Sequence, residues 1–269
     1  MPIPLEDNFN DIIGKAMRGL KLTDTQVADR AGVSASDVQS LREGAWDETT
    51  ARKVAPVLGL GADAVAALGN KGWEPAPITL DGLAQFNTPF EDMTVNSYIV
   101  WDPASLAAVA FDTGADCSGM LALIDEKNLA LKLILLTHTH GDHVYDLDRL
   151  KEKTGAPAFV NEREPIDGAE PFAAGRTFEA GALRIESRLT WGHSKGGITY
   201  LISGLALPLA IVGDAVFAGS MGGGAVSYEA ALHTNREQIL TLPDETILCP
   251  GHGPLTTVGE QRAHNPFFT

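Results

Sequence analysis

Only two of the 269 residues are cysteines, Cys117 and Cys249. That is too few for a disulfide framework, so the reducing cytosol is the expected home and both thiols read as small core residues. Long hydrophobic runs are missing too. The most apolar stretch, Leu201 to Val212, is interrupted by Gly204 and Pro208, and Met1-Pro2-Ile3-Pro4-Leu5-Glu6-Asp7 is not a basic leader with an apolar core. Neither pattern suits a membrane span or an export signal, which predicts a soluble, unexported protein. Positive charge is scarce: 20 lysines and arginines face 35 aspartates and glutamates, for a formal net charge of -15. Such a balance repels phosphate backbones and anionic lipid surfaces, which counts against nucleic-acid and membrane partners. What remains is a globular apolar fraction of 44%, in a chain long enough for one large domain or for one medium and one small.

Histidine is locally dense. Thr137-His138-Thr139-His140-Gly141-Asp142-His143 sets three imidazoles and a carboxylate within six residues. The run Leu131-Lys132-Leu133-Ile134-Leu135-Leu136-Thr137 before it is of strand length and mostly apolar, so the loop is expected to hang from the end of a buried strand. In an extended segment His138 and His140 project to one side and can share a metal, while Thr139 points away. Gly141 permits a turn. Asp142 and His143 then face elsewhere, at the start of a helix expected over Val144 to Leu150, where they can serve a second metal. Packing has no use for such a cluster at a strand terminus, whereas zinc and iron accept imidazole with carboxylate.

The first seventy residues read as a helical unit, with helices near Phe9–Arg18, Thr23–Ala31, Ser34–Arg42, Glu48–Leu58 and Ala62–Leu68. Thr23 with Gln26 and Ser34 with Asp37 have capping-box spacing, and Gly32 and Gly59 sit where helices should stop. Gln26-Val27-Ala28-Asp29-Arg30-Ala31-Gly32-Val33-Ser34 resembles the helix-turn-helix of phage-repressor-like domains, which normally read DNA. This copy is poorly equipped to do so. Through Gly72 it carries 8 basic against 10 acidic residues, and its second helix offers only Gln39 and Arg42 as strong base readers. A role in packing or homodimer formation, covering part of the active-site rim, is expected instead. Val38, Leu41, Val54, Val57, Leu58 and Leu60 are the candidate pairing face. Two prolines and a glycine between Asn70 and Pro77 mark the connector, which divides the chain into residues 1–72 and 73–269.

Beyond the connector, Ser97–Trp101, Leu106–Phe111 and Leu131–Leu136 read as strands and Cys117–Lys127 as a crossover helix. That order makes a βαβ unit, whose ligands gather beyond the carboxyl ends of its strands. Asp112 falls there, either as a carboxylate orienting a ligand imidazole or as an Asx-turn cap. Three later segments repeat the layout: Trp191-Gly192-His193 before Ile198–Ile202, Leu209–Val212 delivering Gly213-Asp214, and Thr246–Pro250 delivering Gly251-His252.

In this order, His-Thr-His-Gly-Asp-His, Gly-His-Ser-Lys-Gly, Gly-Asp-Ala-Val-Phe and Pro-Gly-His-Gly resemble the motifs of the metallo-β-lactamase superfamily, from about Ile78 to Thr269. Gly213–Ser220 and the ending Thr256–Phe268 look most like the glyoxalase II-like hydrolases. The resemblance implies an α/β fold, an αββα sandwich behind the small all-α amino-terminal unit, with a dinuclear site. By it, His138, His140 and His193 hold one metal, Asp142, His143 and His252 the other, and Asp214 bridges them; His233 and His264 match no ligand position. Two zinc ions per chain are expected, with iron or manganese as substitutes. Where these hydrolases commonly continue Gly-Ser-x-Gly with Arg-x-Asp, this chain has Gly219-Ser220-Met221-Gly222-Gly223-Gly224-Ala225. Only 17 residues follow His252, too few for the carboxy-terminal helical domain that gives glyoxalase II much of its glutathione site.

Chemistry narrows the expectation further. Two divalent metals make hydroxide from a bridging water at neutral pH, and Asp142 is placed to orient it or take its proton. A thiolate leaves without a strong general acid, and no dedicated acid is visible, so a small-molecule thioester or activated ester is favoured over an amide. Persulfide dioxygenation on one iron and lactone hydrolysis are the enzymatic alternatives. A metal- or ligand-sensing transcription regulator is the non-enzymatic one, opposed by the charge of the helical unit.

Overall fold

Two strands show how the sequence builds the central layers. In Leu209-Ala210-Ile211-Val212-Gly213 every residue is buried. Leu209 and Ile211 join the core between the two sheets, whereas Ala210 and Val212 join the core outside. Ala107–Phe111 divides the same way, with Val109 and Phe111 facing inward and Ala108 and Ala110 outward. Alternation with both faces apolar is the pattern of a strand covered on both sides.

The computed structural model describes residues 2–269. Five helices come first: α1 (Phe9–Leu20), α2 (Asp24–Ala31), α3 (Ala35–Arg42), α4 (Glu48–Val57) and α5 (Ala62–Gly69). Strands β1 (Leu83–Phe90), β2 (Met93–Trp101) and β3 (Ala107–Phe111) lead through α6 (Ser118–Lys127) to β4 (Ala130–Leu135). Then come α7 (Gly141–Val144), α8 (Leu147–Thr154), β5 (Ala158–Asn161), β6 (Glu170–Phe172), β7 (Thr177–Ala180) and β8 (Leu183–Leu189). The chain closes with β9 (Ile198–Ser203), β10 (Leu209–Gly213), α9 (Tyr228–Gln238), β11 (Ile247–Pro250), β12 (Thr256–Thr257) and α10 (Val258–His264).

Strands β1 to β6 form one sheet in sequential order, and the other six form a second in the order β12-β11-β10-β9-β8-β7. Helices α6 and α8 cover the outer face of the first sheet through Met120, Leu147 and Leu150; Ile239 and Val258 cover that of the second. The β3-α6-β4 unit is a parallel crossover, as the sequence predicts. Because β2 runs antiparallel to β3, and β9 to β10, the ends of β3, β4, β10 and β11 and the starts of β2 and β9 fall on one rim.

Two local expectations need correction. The single helix after the histidine loop is broken at Tyr145 and Asp146 into α7 and α8. Asp146 is drawn out of the helix by its neighbours: its amide donates to Thr113 Oγ1 (3.3 Å) and its carboxylate accepts from the Cys117 amide (2.8 Å) and Arg149 (3.0 Å). Strand β4 also ends at Leu135, short of Thr137, whose amide and hydroxyl turn to Asp112 (2.7 Å each).

The five amino-terminal helices stand within two residues of the expected bounds, with capping boxes at Thr23/Gln26 and Ser34/Asp37. Val38, Leu41, Val54, Leu58 and Leu60 are buried and Val57 is partly so. The aliphatic face expected to pair two copies is thus consumed by the bundle's own core. That core continues across the connector into Met221, Tyr228, Ala231 and Phe267. The Gly61 amide also bonds Pro266 O (2.8 Å), and Trp73 stacks on His264 (5.1 Å between centroids), which gives that histidine a packing role.

Candidate metal centre

Each residue at the rim arrives by the strand-end logic of the fold. The loop after β4 supplies His138, His140, Asp142 and His143; β10 delivers Asp214, β11 delivers His252, and the turn between β8 and β9 holds His193. All seven residues singled out from the sequence meet there. His138, His140, His193 and Asp214 offer ligand atoms within 4.8 Å of one another, as do Asp142, His143 and His252.

In the first group, His140 Nδ1 lies 3.1 Å from His138 Nε2 and 3.0 Å from His193 Nε2, and Asp214 Oδ2 lies 3.2 Å from His193 Nε2 and 3.9 Å from His138 Nε2. In the second, Asp142 Oδ2 is 3.5 Å from His143 Nε2 and 3.4 Å from His252 Nε2. Zn–N bonds of about 2.0–2.1 Å in a tetrahedron put ligand atoms about 3.3 Å apart. Asp214 reaches the second group as well, with Oδ1 3.3 Å from His143 Nε2 and Oδ2 3.4 Å from His252 Nε2. His143 Nε2 and Asp214 Oδ1 are buried without a hydrogen-bond partner. Buried polar atoms are rarely left so, and a cation held between these two would answer both.

The opposite ring nitrogens are held in turn, which sets each imidazole's orientation. His138 Nδ1 meets Thr137 Oγ1 at 3.0 Å, His143 Nδ1 meets Asp112 Oδ2 at 2.9 Å, His193 Nδ1 meets Gly223 O at 2.9 Å and His252 Nδ1 meets Thr94 O at 2.7 Å. Of the two readings of Asp112, the structure therefore gives the orienting carboxylate. Two glycines make the close approach possible. A Cβ on Gly222 would stand 2.0 Å from Asp214 O, and one on Gly251 would stand 2.1 Å from Asp214 Oδ1.

Charge is balanced inside the cluster. Burial works against ionising Asp214, but His252, His143 and His193 hold its carboxyl well below the usual range. Asp142 is likewise lowered against the effect of burial, through its hydrogen bond from His252 and the charge of His143. Burial opposes charge on His143 and His252 too, yet Asp214 with Asp112 raises the first to about 10, and Asp214 with Asp142 raises the second to about 11. His138 and His140 go the other way, pushed down by burial and by neighbouring imidazoles. Imidazoles and ionised carboxylates interleaved in this way can exchange protons for divalent cations.

Sequence reasoning missed the residues that brace the ligand loops. Asn96 Nδ2 donates to Pro250 O (2.9 Å) and Gly253 O (2.8 Å), and Tyr98 OH donates to Pro250 O (2.6 Å), clamping the His252 turn. Glu164 accepts from Ser194 Oγ at 3.0 Å beside His193. Asn96-Ser97 at the head of an apolar strand was the one available sign of the first brace. Glu164 lies in a loop with none.

The metallo-beta-lactamase superfamily description matches residues 91–252. "Probable metallo-hydrolase YqgX" of Bacillus subtilis (strain 168) is 33% identical over 184 residues, covering 59% of this chain and 85% of that protein. "Hydroxyacylglutathione hydrolase GloC" of Haemophilus influenzae is 28% identical over 198 residues, covering 64% of this chain and 92% of the relative. Among solved structures, TTHA1623 in a di-iron-bound form superposes with a TM-score of 0.55 at 26% identity, covering 68% of this chain and 99% of its own.

Proposed function

The chain belongs to the metallo-beta-lactamase superfamily, and on that premise we propose that it is a dinuclear metallo-hydrolase of small thioesters or comparably activated esters. The observation that carries the metal reading is the pair of buried, partnerless atoms His143 Nε2 and Asp214 Oδ1, 3.3 Å apart between two ligand groups. His138, His140 and His193 hold one cation, Asp142, His143 and His252 the other, and Asp214 faces both. Zinc suits this donor set, and iron or manganese is compatible with it; the di-iron relative supports iron. When bound, two such ions supply Lewis acidity for a carbonyl oxygen and lower the pKa of a water.

The protein's own residues do the rest. Asp142, ionised at neutral pH, accepts a hydrogen bond from the attacking water and takes its proton. His138, His143 and His252 are kept in register by their outer partners, so little reorganisation remains once substrate arrives. A thiolate departs without a dedicated proton donor, whereas an amine needs one, which favours a thioester over an amide. The likeness to a hydroxyacylglutathione hydrolase supports the same substrate class.

Elemental analysis of the purified protein is expected to find up to two metal ions per chain. Asp214→Ala or His140→Ala should lose most of them and lower thioester turnover more than about 100-fold, since partners one step removed from a ligand already cost 10- to 100-fold. A mutant Asp214→Ala with full metal and full activity refutes the bridging role. Oxygen uptake with a persulfide exceeding thioester turnover in the iron-loaded protein would instead assign a dioxygenase.

A further inference from the structure

We propose that helix α1 is a positioning element of the metal centre: the Lys15–Asp7 pair holds the Phe217–Gly223 loop, and the loop sets the His193 ring and the backbone of Asp214. Lys15 and Asp7 form an ion pair whose side chains are only 15% and 8% exposed. The pair's remaining bonds all land on that loop. Asp7 Oδ2 accepts from Ser220 Oγ (2.5 Å), Lys15 Nζ donates to Met221 O (2.9 Å), and the same ammonium sits 5.1 Å from the Phe217 ring centroid.

The other side of the loop reaches the ligands. The Gly222 amide donates to Asp214 O (3.1 Å), Gly223 O accepts from His193 Nδ1 (2.9 Å), and the Phe217 ring packs edge-on against His252 (5.5 Å). Gly222, Gly223 and Gly224 have no side chains with which to anchor themselves, and glycine loses the most backbone freedom on ordering. Close approach forbids anything larger at Gly222, so the restraint has to come from outside the loop. Asn265, donating to Ser220 O at 2.7 Å, and Gln261, accepting from the Gly219 amide at 2.9 Å, supply part of it, and the Lys15–Asp7 pair supplies a further part at Ser220 and Met221.

A buried ion pair is weak evidence for stability, because an apolar pair of similar volume often replaces it at no cost. A structural role and a positioning role therefore separate. The test uses the full chain with Asp7→Leu and Lys15→Met together, with Ser220→Ala as a second variant and Lys15→Arg as the conservative one. Three quantities are read: unfolding in denaturant, zinc affinity at each site by chelator competition, and amide exchange of Gly222 in the chelated protein. We expect a modest loss of stability in the double variant, because Ser220 Oγ and Met221 O each lose a buried partner, and a zinc affinity about 10-fold or more lower at the His138/His140/His193 group, with a smaller loss at the other. Gly222 exchange should be about 10-fold faster or more, with Lys15→Arg close to wild type.

Equal losses at both metal groups, or unchanged Gly222 exchange in both the double variant and Ser220→Ala, overturn the proposal. The effect on metal rests on the dinuclear reading, but the exchange measurement does not. Wild-type protein that binds no metal would refute that reading alone.

Discussion

Carboxylates at the strand rim and carboxylates on the amino-terminal helices meet nitrogen donors in opposite surroundings. At the rim, Asp112, Asp142 and Asp214 are at most 9% exposed and face His138, His143 and His252, which are buried, and His193, which is half-buried; His140 alone of the ligand histidines is exposed. On the helices, Asp24 pairs with Arg42 and Glu48 with Arg52 on side chains between 27% and 43% exposed. Water solvates the second set, so each pair is worth little and can be lost singly. Water is withheld from the first, where every donor and acceptor must be answered within the protein or by a bound cation. The chain concentrates its electrostatic cost where seven ligand-type side chains converge and, with Asp7 and Asp102 as buried exceptions, leaves its acidic excess elsewhere to solvent.

Removing the rim carboxylate that accepts three hydrogen bonds within the protein is the most direct way to break this contrast through stability. Asp112 accepts from the Thr137 amide, Thr137 Oγ1 and His143 Nδ1. Asp112→Ala leaves these buried donors without acceptors, at roughly 1–3 kcal/mol apiece. We expect at least about 3 kcal/mol of lost stability in denaturant melts, and a metal affinity about 10- to 100-fold lower by chelator competition. Asp112→Asn, which keeps one oxygen acceptor and tolerates the positive φ of 54° at this position, should fall between. An alanine variant with wild-type affinity shows that the carboxylate does not orient His143.

A smaller effect sharpens the comparison through pH. In chelated protein, Asp214 and its neighbours overcome burial and raise His143 to about 10 and His252 to about 11. An unfolded histidine titrates near about 6.5. Between these values the folded protein keeps protons that the unfolded chain has released. The resulting stability is complete below about pH 6.5 and is lost as pH rises through about 10 to 11. Melting temperatures of chelated protein should therefore fall from pH 7 to pH 10. With zinc present the fall should shrink or reverse, because metal competes with those same protons. A chelated protein whose melting temperature climbs over that range contradicts the charge arrangement drawn for the rim.

What was legible in the sequence follows the same division. The rim could be read because its residues are types that packing does not use, placed beside glycines at the ends of apolar runs: the loop from His138 to His143 declares itself locally, and Asp214 and His252 become legible once set beside it. The helices could be read from caps such as Thr23 with Gln26, which are also local. Contacts between distant segments carried no such mark. Asn96 bracing the His252 turn, Glu164 bracing the His193 turn, and Phe267 closing the helical core depend on which strands and helices become neighbours. The break between α7 and α8 was hidden for the same reason, since Thr113 and Cys117, which hold Asp146, lie about thirty residues earlier in the chain. The burial of the bundle's aliphatic face was hidden as well, because nothing local reveals that Val38, Leu41, Val54, Leu58 and Leu60 are taken up by one core.

The smallest expected effect lies on the exposed side of the comparison, at Arg42. In a DNA-reading helix-turn-helix, a side chain such as this must be free to reach a base edge. Here the guanidinium is committed to Asp24, with Nε 3.1 Å from Oδ1 and Nη2 3.0 Å from Oδ2, and Gln39 donates to Glu43 at 2.9 Å. Both base readers of α3 are thus turned toward carboxylates of their own bundle. Since Arg42 is 41% exposed, Arg42→Ala should change stability by less than about 1 kcal/mol, with no loss of thioester turnover. The intact protein should show no sequence-selective retention on duplex DNA at low salt, before or after the substitution, because affinity for DNA begins with neutralised phosphates and this chain carries a formal charge of -15. Selective retention that disappears in Arg42→Ala would mean that the Asp24 pair opens to admit a base, and would make the bundle a reader of sequence alongside its part in holding the rim.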